Sequence, residues 1–157
     1  MRVWRICPQA YVASALTGVG GLYAGGRWHH KGYPIVYTSA TPSLAALEAL
    51  VHVDPALAPS DVRLLEIDVP QALSIETCEP DAIVSEWRIY PAPAELQDFG
   101  TKWLSSLRSA VLRVPAAVMP VEANYLLNPR HPRFTEISIV RDLPFSFDSR
   151  LLGTTND

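Results

Sequence analysis

The sequence predicts an α+β fold, a mixed, mostly antiparallel sheet with flanking helices. Three observations carry this. Short stretches that alternate apolar and polar side chains recur along the chain, as strands with one buried face require. Between them stand two longer segments of helical character, each with a proline at its start. The 14 prolines and 8 glycines cut the rest into short elements joined by loops.

Taken in order, residues 2–7 alternate and open the chain as a strand. Residues 16–31 hold Gly18, Gly20, Gly21, Gly25 and Gly26 and little periodicity. They predict a long ordered loop or strained turn, where binding residues tend to gather. Residues 35–38 are β-rich. Thr41-Pro42-Ser43 supplies helix-start chemistry, and a helix follows over 44–53, closed before Pro55. Residues 62–69 alternate cleanly as a strand. Residues 70–93 are proline-rich and irregular. Residues 93–109 form a second helix. Residues 110–119 are apolar but contain Pro115, which predicts an edge or broken strand. Residues 134–140 alternate again, and the tail from Gly153 is expected to fray.

Composition bounds the function. With 157 residues and no repeat, linker or low-complexity segment, the chain reads as one domain over 1–157. A hydrophobic share of 48% and a charged share of 18% fit a compact soluble protein. The net charge of −3 gives no electrostatic footprint for nucleic acid. The apolar runs are too short to span a bilayer, and no signal peptide follows Met1. Cys7 and Cys78 show no metal-ligand spacing. A reduced cytoplasmic setting is the expectation.

Three side chains stand out. Glu48 borders a helical stripe of Leu44, Leu47, Leu50 and Val51. It reads either as a stripe-edge carboxylate, reaching solvent or pairing with His52, or as a carboxylate facing a cleft. Arg27 follows two glycines. It is either a solvated loop residue or a planar donor fork for a pyrophosphate. Tyr37 closes a short strand and either packs on the core or stacks on a flat heterocycle. Gly18, Gly20 and Gly21 make no dinucleotide fingerprint. His29 and His30 lack the acidic or cysteine partners of a metal site. Ser105, Ser106 and Ser109 have no supporting histidine, so a Ser-His-Asp hydrolase is not indicated.

Later residues complete a pattern: Val114-Pro115-Ala116-Ala117-Val118, then Asn124-Tyr125-Leu126-Leu127-Asn128-Pro129, then His131-Pro132. Asn-Pro signals a turn, and the two asparagines read as loop formers or as pocket residues. Together with Trp4-Arg5, Gly25-Gly26-Arg27-Trp28, the Tyr37 strand and Ala46-Leu47-Glu48, the pattern resembles the RES-domain family across residues 2–152. That resemblance implies a fold like that of ADP-ribosyltransferases. It also implies a toxin of a bacterial toxin–antitoxin pair, whose antitoxin carries an Xre-like helix-turn-helix domain, and a possible homodimer.

The implied substrate is NAD, consumed by hydrolysis, phosphorolysis or transfer of ADP-ribose to a protein, with no metal. Arg27, Tyr37 and Glu48 would be catalytic. Arg5, Arg27, Tyr37, Ser39, Asn124 and Asn128 would hold NAD. The family's serine falls at Ala116 here, so Ser39 or a water is left to supply its hydrogen bond. A non-catalytic binding module and a protein ADP-ribosyltransferase remain the alternatives.

Overall fold

The computed structural model describes residues 1–52 and 60–153. The helix expected to run to residue 53 ends at Leu50, with Val51 as its C-cap; Pro55 and the tail beyond Gly153 lie outside the described residues. Among the described residues the strands are β1 (Arg2–Pro8), β2 (Val36–Ser39), β3 (Val62–Asp68), β4 (Ile75–Thr77), β5 (Val111–Pro115), β6 (Ala123–Leu127) and β7 (Ser138–Phe145). The helices are α1 (Gly20–Tyr23), α2 (Pro42–Leu50) and α3 (Ala94–Ser106). The strands form one sheet in the order β4-β5-β6-β2-β1-β3-β7. Only the β4–β5 pair is parallel. The α+β class and the mixed, mostly antiparallel sheet are therefore as the sequence predicts.

Strand alternation sends the apolar side chains to two faces. Val3, Cys7, Val36, Leu65, Ile67, Val111 and Leu127 form a core on one face. Leu112, Val114 and Leu126 form a second core on the other, with Trp28, Trp87 and the α3 residues Leu96, Trp103 and Leu104. Cys7 and Cys78 are free, buried thiols in different cores. Burial pushes the Cys78 thiol up to about 12.

The helix α3 lies against the turn that carries Arg27. A Cβ at Gly100 would sit 1.9 Å from the Trp28 carbonyl oxygen, so only glycine permits this approach. Gly100→Ala is expected to cost about 3 kcal/mol or more, at the top of the usual overpacking range, because the obstacle is backbone. A fall in the urea midpoint measures it; an unchanged midpoint would mean that α3 shifts freely on Trp28.

Central ladders differ in extent. β1 pairs with β3 along its whole length, from Arg2 opposite Asp68 to Pro8 opposite Val62. With β2 it shares one register pair, Trp4 opposite Ser39. Beyond Trp4 the strand follows β3 and parts from β2. On the far side, β2 is fully paired with β6, Tyr37 opposite Leu126 and Ser39 opposite Asn124.

Several expectations need correction. Of the two readings of residues 110–119, the broken strand holds, since β5 ends at Pro115, and the edge strand does not, since β5 lies inside the sheet between β4 and β6. The three-residue β4 reaches only from Val111 to Arg113, so no neighbour on that side needs the amide hydrogen that Pro115 lacks. The edge strands are β4 and β7, and β7 carries Pro144 and the ion pairs Arg63–Asp142 and Arg141–Glu66. Residues 134–136 form a short 3-10 turn, and the strand runs over Ser138–Phe145 instead of 134–140. The second helix ends at Ser106, because Leu107 takes a left-handed conformation. Asn124 is not a loop former but lies within β6.

Candidate functional site

The helix α2 begins as expected. Thr41 caps it, accepting from the Leu44 amide at 3.1 Å, with Pro42 in the first turn. Its inward face differs from the predicted stripe. Leu44 and Ala45 are buried, whereas Leu47 and Val51 are 38% and 59% exposed. Glu48, one helical turn after Leu44, therefore sits on the sheet-facing side and is half-buried. It does not pair with His52. Asn124 Nδ2 donates to Glu48 Oε1 at 2.6 Å, and Ser39 Oγ donates to Asn124 Oδ1 at 2.9 Å. The buried Ser39 hydroxyl fixes the amide so that its NH₂ faces the carboxylate, which can only accept. Among the described residues Glu48 Oε2 accepts no hydrogen bond.

A second group forms around Tyr37, which shares a sheet face with Ser39. The turn before it is closed by the Gly26 amide donating to His29 O at 3.0 Å. Gln97 Nε2 donates to Gly26 O at 2.9 Å and ties that turn to α3. Neither Gly25 nor Gly26 has a left-handed backbone. Gly26 is needed for another reason: a Cβ there would lie 2.7 Å from the Tyr37 hydroxyl.

Arg27 is not the solvated loop residue of the simplest reading. Its Nη1 donates to Trp87 O at 2.5 Å and its Nη2 to Ile89 O at 3.2 Å. Burial lowers the affinity of its guanidinium for a proton, while Glu48 and then Tyr37 act in the opposite sense across space. Two of the five guanidinium N–H groups serve those carbonyls, which leaves three for a ligand. Arg27, Tyr37 and Glu48 are thus brought into one electrostatic neighbourhood. Desolvation raises the Tyr37 phenol well above its ordinary range, so it stays protonated.

Arg5 reaches this neighbourhood from the opposite face. It alternates between Val3 and Cys7, on the side of the first core. Its Nη1 donates to the Tyr37 backbone oxygen at 2.9 Å, bridging the place where β1 and β2 part. Its Nε is buried with no partner among the described residues, and burial lowers the guanidinium's proton affinity. A cavity of about 610 Å³ opens there, lined among others by Arg5, Tyr11, Gly18, Gly21, Tyr23 and Tyr37. Ligand pockets span about 300–1,000 Å³, so its size is suitable. Arg27 and Glu48 do not line it. An unsatisfied buried donor such as Arg5 Nε costs about 1–3 kcal/mol, and an acceptor atom in the cavity would offset that.

Other candidates lie elsewhere. Asn128 is fully buried and committed: its Nδ2 donates to Leu104 O at 2.9 Å, and its Oδ1 accepts from the Arg130 amide at 3.1 Å. It holds the end of α3 against the turn after β6. Ala116 is fully buried, its amide donating to Glu122 O at 3.0 Å. Ser106 and Ser109 bond locally around Trp103. His30 pairs with Asp98 at 2.6 Å. Among the described residues no group of three or more His, Cys, Asp or Glu could hold a metal. No described helix is long and apolar enough to cross a membrane.

Comparisons with known proteins agree on one grouping. The family model described as the RES domain matches residues 2–148. The chain is 43% identical over 152 residues to "Toxin Res" of Yersinia enterocolitica, covering 96% of this chain and 99% of that one. It is 36% identical over 153 residues to the "Prs ADP-ribosylating toxin" of a Sphingobium species, covering 95% of each. Among solved structures it is similar to the Mycobacterium tuberculosis MbcT–MbcA toxin–antitoxin complex, with a TM-score of 0.72. That match covers 97% of this chain and 86% of the other at 20% identity, and the likeness is one of fold.

Proposed function

This chain belongs to the RES-domain family, and from that premise we propose that it is a toxin that consumes NAD by breaking the nicotinamide–ribose bond. The observation that carries the reading is the Glu48 carboxylate. One oxygen is fixed by Asn124, the other accepts no hydrogen bond from the described residues, and the carboxylate acts across space on Arg27 and Tyr37. When the bond between ribose C1′ and nicotinamide N1 breaks, its electron pair leaves with neutral nicotinamide. Positive charge is left on C1′ and the ring oxygen. A preorganised carboxylate stabilises that charge. An acceptor oxygen then bonds to C1′ and loses its proton, with Glu48 Oε2 available to receive it. Arg27 and Arg5 offer donors to the pyrophosphate, and Tyr37 offers a ring against the nicotinamide. NAD loss stops growth, and an antitoxin of the Xre-like helix-turn-helix kind would restrain it. A homodimer rests on the family resemblance alone.

A second reading is favoured by the relative named for ADP-ribosylating Prs: the acceptor is a protein instead of water or phosphate. One experiment separates the readings. The purified chain is incubated with NAD labelled in both its nicotinamide and its adenine, in phosphate buffer, with and without cell extract. Nicotinamide release with the adenine label in free ADP-ribose or its phosphate supports degradation. Adenine label on protein supports transfer. No nicotinamide release in either arm would overturn both.

A further inference from the structure

We propose that His29 is the positioning residue that holds Tyr37 in the site, and that Tyr37 serves the reaction through its ring and not its hydroxyl. Only the activity part of this inference rests on the NAD reading above. His29 is 3% exposed. Its Nε2 lies 3.0 Å from the Ala24 carbonyl oxygen, which can only accept, so Nε2 carries a proton. Its Nδ1 lies 2.8 Å from the Tyr37 hydroxyl. Burial lowers the imidazole's affinity for a second proton, the Ala24 hydrogen bond opposes this in part, and the nearby His30 adds to it. Nδ1 is therefore bare and accepts the Tyr37 O–H. The Tyr37 oxygen in turn accepts from the Trp28 amide at 3.2 Å.

The hydroxyl is thus committed in both directions. Its proton goes to His29 and one lone pair to Trp28. The Tyr37 hydroxyl and the His29 ring meet at Gly26, where a Cβ would approach the Tyr37 oxygen to 2.7 Å and the His29 ring to 3.0 Å. The hydroxyl works as a strut, joining the turn that bears Arg27 to the strand that bears Tyr37. Tyr37 is among the residues that line the cavity. A general acid or base needs a free proton or lone pair aimed at substrate, and this hydroxyl has its proton spent on the protein. His29 is invisible as a functional residue in the sequence, where it reads as half of an incomplete metal pair.

The test has two parts. ¹⁵N NMR of the imidazoles is expected to show His29 as the Nε2–H tautomer at neutral pH. In Tyr37→Phe its Nδ1 resonance should move toward that of an unbonded acceptor nitrogen. In the activity part, Tyr37→Phe should keep kcat within about tenfold and raise KM, whereas Tyr37→Ala should lose turnover. His29→Ala should raise KM, and His29→Gln should partly restore it, because its amide offers both a donor and an acceptor. An Nδ1–H tautomer in the wild type would overturn the inference. So would a Tyr37→Phe variant as inactive as Tyr37→Ala at unchanged melting temperature. If the wild type does not cleave NAD, the functional reading falls while the tautomer result still decides how Tyr37 is held.

Discussion

Glu48→Gln is expected to bind NAD nearly as well as the wild type and to lose about 100- to 1,000-fold in single-turnover rate, or about 2.7–4 kcal/mol. The amide is nearly isosteric with the carboxylate. Its oxygen still accepts from Asn124 Nδ2, so the Ser39–Asn124 relay survives and the fold is kept. What disappears is the negative charge available to an oxocarbenium-like state. A structural role predicts the reverse pattern, with a change in melting and little change in rate. NAD affinity and single-turnover rate measured on one preparation tell them apart. Wild-type turnover in Glu48→Gln would remove Glu48 from the catalytic residues.

Arg27→Ala is expected to abolish NAD turnover and, in addition, to lower stability by about 1–3 kcal/mol. The stability effect follows from the structure and not from the sequence, which reads Arg27 as a loop residue. Truncation strands the Trp87 carbonyl, in a half-buried setting, and frees the segment up to Ile89. A loss of activity alone is therefore ambiguous, and Arg27→Lys resolves it. Lysine keeps the charge but loses the planar fork. If Arg27 clamps a pyrophosphate, turnover in both variants should fall further than thermal stability does, with lysine intermediate. Both are assayed at 25 °C, well below their melting temperatures. A fully active Arg27→Ala would sink the clamp.

The parts of the fold that could be read in advance are those where one local signal governs. The strands β1 and β3 alternate because each has one core face, and Thr41-Pro42 marks the start of α2. The parts that could not be read depend on distant partners. β6 contains Asn124, a residue that favours loops, and it is held there by Ser39 and Glu48, 85 and 76 residues away. β4 is three residues long in a proline-rich stretch, and parallel pairing with β5 defines it. In α2 the apolar residues outnumber the buried positions, so counting them put Leu47 and Val51 inside.

The same division holds for the site. The types of Arg27, Tyr37 and Glu48 were legible, as was their order along the chain. Their supports were not. The carbonyls that hold Arg27 are backbone atoms about 60 residues away, which leave no mark on side-chain pattern. His29 carries no signal until its two ring nitrogens are placed between Ala24 and Tyr37. Asn128, a pocket candidate on sequence, is consumed by Leu104 and Arg130.

A sheet is stiff because each strand is stitched to its neighbours, and here the stitching nearly stops at its middle. β4, β5, β6 and β2 make one panel, and β1, β3 and β7 make the other. The backbone seam between them has one register pair, Trp4 with Ser39, backed by the Arg5 guanidinium on the Tyr37 carbonyl. Candidate residues are divided across that seam: Tyr37, Ser39 and Asn124 on one panel, Arg5 on the other. A molecule seated in the opening would act as a clasp between two plates. Its binding energy would then enter the cohesion of the whole protein, because anything that binds only the native state stabilises it. Emptying the opening by turnover would return the chain to its less firmly fastened form, so the catalytic cycle would alternately fasten and release the centre of the sheet.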